Sequence, residues 1–174
     1  MIKTRFLLVV LSLVIFGEVN AQVEDFAPFE MPTNIQLQSR KGDDVTSADF
    51  LNINKPLVII VNWYSCKPSR SFLRALDDIQ VEWQSKYDAV LVVIEVGKQT
   101  YPADFITNTK DVYYDRKKDF ADNFLSHHFD KPHDHPRLIL VDKNNMVVYS
   151  RLGYLEKERE TIMEEISAEL SKIQ

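Results

Sequence analysis

Apolar residues follow two different periods along the chain, and these periods predict a sheet flanked by helices. Continuous apolar runs at residues 57–63 and 89–96 have the length of strands and are rich in Val and Ile. Such runs are typical of strands covered on both faces. Between the two runs, apolar residues recur at spacings of three and four, which predicts an amphipathic helix. These residues are Phe72, Leu73, Leu76, Ile79 and Trp83. We therefore expect a strand–helix–strand unit with parallel strands.

Shorter patterns extend this unit in both directions. Residues 34–38 alternate between apolar and polar, which predicts a half-buried strand, and a short return strand begins at Val45. Further helices are predicted near 102–107, at 116–126 and at 156–173, and two strands at 137–141 and 146–150 flank a tight turn. This order predicts an α/β protein, a three-layer sandwich with a central mixed β-sheet.

The first 21 residues are typical of a signal peptide. Lys3 and Arg5 precede the apolar stretch 6–16, and Val19-Asn20-Ala21 offers small residues at the positions that a signal peptidase recognises. The apolar stretch is too short to act as a stop-transfer helix. We expect cleavage after Ala21, a periplasmic or secreted protein, and no membrane span after cleavage. An uncleaved N-terminal anchor is the alternative.

Length and charge limit the classes of protein and partner. The chain has 174 residues and a formal net charge of −5. Its length suits one domain, predicted at 33–174, after a flexible lead-in at 22–32 with two prolines and no period. The absence of a basic block argues against nucleic acid as a partner. The absence of a glycine-rich phosphate loop predicts no nucleotide cofactor, and we expect no cofactor of another kind.

Cys66 is the one cysteine of the chain, so it cannot form an internal disulfide. It follows the predicted buried strand and stands where the helix begins. Helix N-termini stabilise a thiolate through their partial positive charge and free N–H groups. Lys67 adds a positive charge, and Pro68 suits a first turn, where a missing N–H costs nothing. The pattern predicts a reactive thiol, and the alternative is a thiol that no longer reacts.

The segment Cys66-Lys67-Pro68-Ser69-Arg70 resembles the Cys-x-Pro-Cys-Arg motif of the thioredoxin superfamily, and within it the exported TlpA/ResA-like branch. His135-Pro136 matches the place where that family has a cis-proline beside the active-site cysteine. The resemblance extends over about residues 34–174 and implies the fold, with thiol–disulfide chemistry on a protein client. It also implies that Cys66 is the nucleophile, and that Pro136, Trp63 and Tyr64 shape a groove for the client.

Ser69 departs from the family motif because it occupies the position of the second cysteine. In the family the first cysteine attacks a disulfide and the second resolves the mixed disulfide. A serine hydroxyl forms no disulfide, so Cys66 alone cannot complete a dithiol cycle and its release needs an outside thiol. We expect an isomerase-like activity or thiol-dependent client binding, with a protein or a low-molecular-weight thiol as partner. Residues 62–65 are also shortened or shifted relative to the family's aromatic segment.

All four histidines fall in one predicted loop, at His127, His128, His133 and His135. A thiolate and imidazoles bind copper(I) or zinc, so Cys66, His133 and His135 are weak candidates for metal ligands. The alternatives are a solvated polar loop and a supporting role, in which His135 stabilises the thiolate as a cation or as a hydrogen-bond donor. Three functions therefore stay open: a monothiol redox protein, a non-catalytic binding or assembly domain, and a copper or zinc carrier.

Overall fold

A computed structural model describes residues 22–51, 53–63, 65–97 and 111–173 of the protein. The predicted signal peptide, Tyr64 and the predicted helix near 102–107 lie outside the described residues. Within the described residues, no helix is both long and apolar enough to cross a membrane.

The described strands form one mixed sheet with the order β1-β9-β8-β5-β6-β7-β3-β4, and β2 also pairs with β9. The pairs β5–β6 and β6–β7 are parallel, and every other pair is antiparallel. The predicted strand–helix–strand unit with parallel strands is thereby confirmed. The strands are β1 (Gln22–Val23), β2 (Phe29–Glu30), β3 (Gln36–Ser39), β4 (Asp44–Thr46), β5 (Leu57–Asn62), β6 (Val90–Val96), β7 (Asp111–Asp115), β8 (Arg137–Val141) and β9 (Met146–Leu152).

Two apolar cores lie on the two faces of the sheet, because successive side chains of a strand point to opposite faces. Val58 and Ile60 of β5 join one core, which α2 (Lys67–Tyr87) and α4 (Arg159–Lys172) cover. Ile59 and Val61 join the other, which α1 (Ala48–Leu51) and the π-helical segment Asp119–Leu125 cover. The predicted three-layer sandwich with a central mixed sheet is therefore confirmed. The described residues also contain a short helix, α3 (Ser126–His128), and a 3₁₀ turn, Glu156–Glu158.

The helix predicted at 116–126 begins later and is π-helical over Asp119–Leu125. Buried Asp115 explains the late start: its carboxylate accepts a hydrogen bond from the backbone N–H of Ala121 at 2.9 Å. It satisfies a donor at the beginning of the segment, as a capping side chain does. The sequence pattern predicts no strand between 97 and 115, where the structure has β7.

The segment 22–32, predicted as a flexible lead-in, differs from that expectation because it is paired to the sheet. β1 and β2 both pair antiparallel with β9, and the backbone N–H of Glu24 donates to the carbonyl of Ser150 at 3.0 Å. The Met31 side chain is fully buried. Two-residue strands have no hydrophobic period, so their pairing depends on backbone groups that the sequence pattern does not reveal.

Candidate functional site

Cys66 is the N-cap residue of α2, at the junction that follows β5. Its backbone is extended, with φ −80° and ψ 124°, and its side chain makes no capping hydrogen bond. The N–H of Cys66 donates to the carbonyl of Trp63 at 2.8 Å, and the N–H of Arg70 donates to the carbonyl of Cys66 at 3.2 Å. These two bonds fix the backbone on both sides of the thiol, and the cysteine is half-buried.

In the structure, Cys66 lies against the backbone of the His135–Pro136 peptide. The Cys66 Sγ lies 3.9 Å from the carbonyl oxygen of His135, and the His135–Pro136 bond is cis. The carbonyl of Pro136 accepts a hydrogen bond from the N–H of Gly153 at 2.8 Å. Two segments 69 residues apart in the chain therefore meet at the sulfur.

Burial keeps the His135 imidazole neutral at physiological pH. Its pKa is lowered to about 4, first because burial disfavours the cation, and then because of the positive charge of Arg137 and of His133; Asp134 opposes the shift. The ring packs edge-on against Trp63, with centroids 5.7 Å apart. His135 thus provides no positive charge for a thiolate near pH 7, which removes the cationic form of its predicted supporting role.

Trp63, three residues before Cys66, is an exposed aromatic residue with 43% of its surface accessible. It packs on His135 and also approaches Gly97, where a Cβ atom would lie 3.9 Å from the indole Nε1. Gly97 has a φ of +109°, a conformation that disfavours residues with a side chain. The two residues place an aromatic surface next to the cysteine, where a peptide could pack.

Three residues in the segments that meet at Cys66 carry buried polar atoms with no hydrogen-bond partner among the described residues. Ser69 is fully buried, and its Oγ has no hydrogen-bond partner in the described part of the chain. The same holds for Asn62 Oδ1 and for both ring nitrogens of His135. Leaving a buried polar group unpaired costs about 1–3 kcal/mol each, and such groups in a native protein often mark a catalytic or ligand-binding site. Asn62 ends β5, Ser69 lies on the first turn of α2, and the carbonyl of His135 contacts Cys66 Sγ, so all three belong to segments that meet at the cysteine.

A buried amide–carboxylate pair at the ends of β5 and β6 was not among the predicted site residues. The Asn62 Nδ2 donates to Glu95 Oε2 at 2.9 Å, and both side chains are buried. The signal for Glu95 in the sequence is a single acid inside an otherwise apolar strand. Carboxyl ends of parallel strands meet at one edge of a sheet, which explains why this pair lies at the same edge as Cys66.

The other predicted supporting residues lie on the first turn of α2. Lys67 and Pro68 are both exposed, and Pro68 occupies a position where a helix needs no N–H. The Arg70 guanidinium donates through Nη1 to the carbonyl of Ser65 at 3.3 Å, which stabilises the turn before the cysteine. Lys67 directly follows Cys66 in the chain, and Arg70 lies one helical turn further along α2.

The four histidines do not converge. The His128 ring stacks on Phe29 with centroids 3.9 Å apart, and His133 Nδ1 lies 3.8 Å from Asp122. His127 Nδ1 is hydrogen-bonded to a backbone carbonyl one turn earlier, at Asn123. Across residues 22–51, 53–63, 65–97 and 111–173, no three side chains of the ligand-forming types are close enough to hold a metal ion. Of the four, His135 has a contact with Cys66, and that contact is made by its backbone carbonyl and not by its imidazole.

No family model matches the chain, and no curated protein matches its sequence. Solved structures do match. A putative thiol:disulfide interchange protein DsbE from Chlorobium tepidum is 17% identical, with a TM-score of 0.60 over 81% of this chain and 95% of that one. An uncharacterized thioredoxin-like protein from Porphyromonas gingivalis is 19% identical, with a TM-score of 0.59 over 83% and 94%.

StoA from Bacillus subtilis is 15% identical, with a TM-score of 0.51 over 79% of this chain and 95% of that chain. These matches cover nearly the whole length of the other chains at low identity, so they bear on the fold and not on the chemistry. The resemblance that the Cys66 motif and the His135-Pro136 dipeptide suggested is confirmed at that level. The chain has the thioredoxin-like fold.

Proposed function

We propose that this protein is an exported, TlpA/ResA-like monothiol protein that acts on protein clients through mixed disulfides at Cys66. The observation that carries the proposal is the contact between Cys66 Sγ and the carbonyl oxygen of His135, which lie 3.9 Å apart. The position of Cys66 at the N-cap of α2, the exposed Trp63 and the buried, unpaired Ser69 hydroxyl support the same assignment.

The chemistry is a single thiol–disulfide exchange. The Cys66 thiolate attacks one sulfur of a client disulfide, a new S–S bond forms to Cys66, and the client's second sulfur leaves as a thiolate that takes a proton from water. Helix N–H groups at the start of α2 stabilise the attacking anion. A second client thiol, or a low-molecular-weight thiol, then attacks the mixed disulfide and releases Cys66. Attack by a second thiol of the same client amounts to isomerisation.

Ser69 limits the function to this half-cycle. It occupies the position from which a resolving thiol would attack, and its hydroxyl cannot form an S–S bond. Electrons therefore do not accumulate on the protein as a dithiol, and the partner must supply the second thiol. Export, predicted from residues 1–21, would place the protein in a compartment where client disulfides form and persist. Two matching solved structures from Chlorobium tepidum are described as thiol:disulfide interchange proteins, the first of them as putative, which is consistent with such clients.

Trapping the mixed disulfide tests the proposal. Reduced protein is mixed with a peptide that contains one disulfide, and the products are resolved by intact-mass spectrometry before and after addition of glutathione. We expect one peptide adduct on Cys66, released by glutathione, and no adduct on Cys66→Ala. Absence of an adduct on the native protein would contradict the redox proposal and favour a non-catalytic binding domain on the same fold.

A further inference from the structure

Arg137 is a fully buried cation one residue after the cis bond at the candidate site. A charge in such a place needs a partner of opposite sign and filled hydrogen bonds. Among the described residues its ion-pair partner is Glu24, whose Oε2 accepts from Nη1. Nη1 also lies 3.4 Å from Ser150 Oγ, and Ser150 Oγ donates to the same Glu24 oxygen at 2.6 Å.

The guanidinium also holds the loop that presents His135. Its Nη2 donates to the carbonyl of Lys131 at 2.7 Å, and its Cζ lies 4.5 Å over the ring of Phe129. Phe129 and Lys131 lie at the beginning of the loop that ends at Pro136. One side chain therefore fastens both ends of the loop whose His135 carbonyl contacts Cys66 Sγ.

Glu24 comes from outside this loop, in the segment between β1 and β2. We define residues 22–31 as the N-terminal strap, because they run along the outer edge of β9 and pair with it at both ends. The backbone N–H groups of Glu24 and Met31 donate to Ser150 and Asn145 at 3.0 and 2.9 Å. The strap thus places the Glu24 carboxylate in the interior, against Arg137, which directly follows Pro136.

We propose that Glu24 and Arg137 are positioning residues for Cys66. The N-terminal strap, paired with β9, then contributes to the site by providing Glu24. This inference rests on the proposed mixed-disulfide function. The chain of contacts is Glu24 to Arg137, Arg137 to the loop 129–136, and His135 to the sulfur and to Trp63. Without the carboxylate, the buried cation draws water or moves outward, and the loop moves with it.

The variant Glu24→Gln tests this chain with little change of shape, and Glu30→Gln is the matched control, since Glu30 is an exposed acid on the same strap. Two rates are measured under native conditions: alkylation of Cys66 by iodoacetamide, and formation of the mixed disulfide with the peptide. For Glu24→Gln we expect faster alkylation, because the loop no longer covers the half-buried thiol. We expect mixed-disulfide formation to slow, so that the ratio of the two rates changes by about fivefold or more.

Glu30→Gln should keep both rates at the values of the native protein. Hydrogen exchange in residues 129–135 should rise in Glu24→Gln and stay unchanged in Glu30→Gln. Ser150→Ala, which removes the hydroxyl that links Arg137 and Glu24, provides a milder second variant with the same direction of change. A Glu24→Gln protein that is less stable but has both native-state rates unchanged would overturn the inference and leave a purely structural ion pair. Failure of the native protein to form an adduct would instead overturn the proposed function.

Discussion

Ser69 is the residue that separates this site from a dithiol site. Its side chain is fully buried on the first turn of α2, where a cysteine of nearly the same volume fits. We expect Ser69→Cys to form an internal disulfide with Cys66, because a Cys-x-x-Cys pair at a helix N-terminus places both sulfurs within bonding reach.

Intact-mass spectrometry of the oxidised variant checks this, as the loss of two hydrogens. The variant should also release a trapped peptide without added thiol, which the native protein should not do. Two free thiols persisting in Ser69→Cys under oxidising conditions would show that the two positions do not face each other.

His135 makes a second prediction, concerning the pH dependence of stability. Its pKa is lowered in the folded protein to about 4, so the unfolded chain binds the proton more readily, and stability falls as pH decreases from about 6.5 to 4. Between pH 6.5 and 4.5 this one group should account for about 2 kcal/mol of lost unfolding free energy.

Urea unfolding of the native protein and of His135→Asn at the two pH values measures the contribution. The decline should be smaller in the variant by about that amount. An equal decline in both proteins would mean that the imidazole is accessible to water and titrates normally, contrary to its burial.

Among the elements, the junction between β7 and the π-helical segment depends on Asp115. Its carboxylate is buried and accepts the N–H of Ala121, and burial raises its pKa although backbone hydrogen bonds oppose the shift. We expect Asp115→Ala to lower the unfolding free energy by about 2 kcal/mol through loss of this cap. Asp115→Asn, which keeps an acceptor, should lose less. Equal losses in urea unfolding would contradict this account, because the amide oxygen of Asn would then fail to replace the carboxylate as the acceptor.

Strands β5 and β6 and helix α2 were predictable because the pattern of apolar residues was sufficient to identify each of them. β5 and β6 are continuous apolar runs of strand length, and the apolar stripe of α2 repeats at helical spacing. The place of Cys66 follows from these elements, since it lies between the end of a strand and the beginning of a helix. Its meeting with His135-Pro136 was predictable only through the resemblance to a known family, because no local pattern joins two segments so far apart.

The remaining features were not predictable because they depend on tertiary partners. Arg137 precedes four apolar residues of β8, which marks it as an unusual buried charge, but its partner Glu24 lies in a segment with no period. The histidines are close in sequence yet point in different directions, because His128 packs with Phe29 and His135 turns into the core. The clustering of the histidines in the sequence therefore suggested a metal site that their side chains do not form. No sequence pattern indicated that residues 22–31 pair with the sheet.

At the scale of the whole molecule, the N-terminal strap joins the outer edge of the sheet to the interior through one ion pair. Removing one partner of a buried pair costs about 3–5 kcal/mol, since the other charge is left buried. We expect Glu24→Ala to lower the unfolding free energy by about 3 kcal/mol, and Glu30→Ala to change it by less than about 0.5 kcal/mol. Chemical unfolding at neutral pH compares them, and similar losses in the two variants would show that Glu24 is no more than a surface acid.

The central claim is that the folded molecule activates Cys66 for disulfide exchange. The most direct test compares the rate of mixed-disulfide formation with one peptide disulfide at pH 7, for the folded protein and for the same chain unfolded in urea. The helix N-terminus and the groove beside His135–Pro136 predict a rate at least about tenfold higher in the folded protein. An equal or lower rate in the folded protein would contradict the claim and leave a thioredoxin-like domain whose cysteine does not take part in its function.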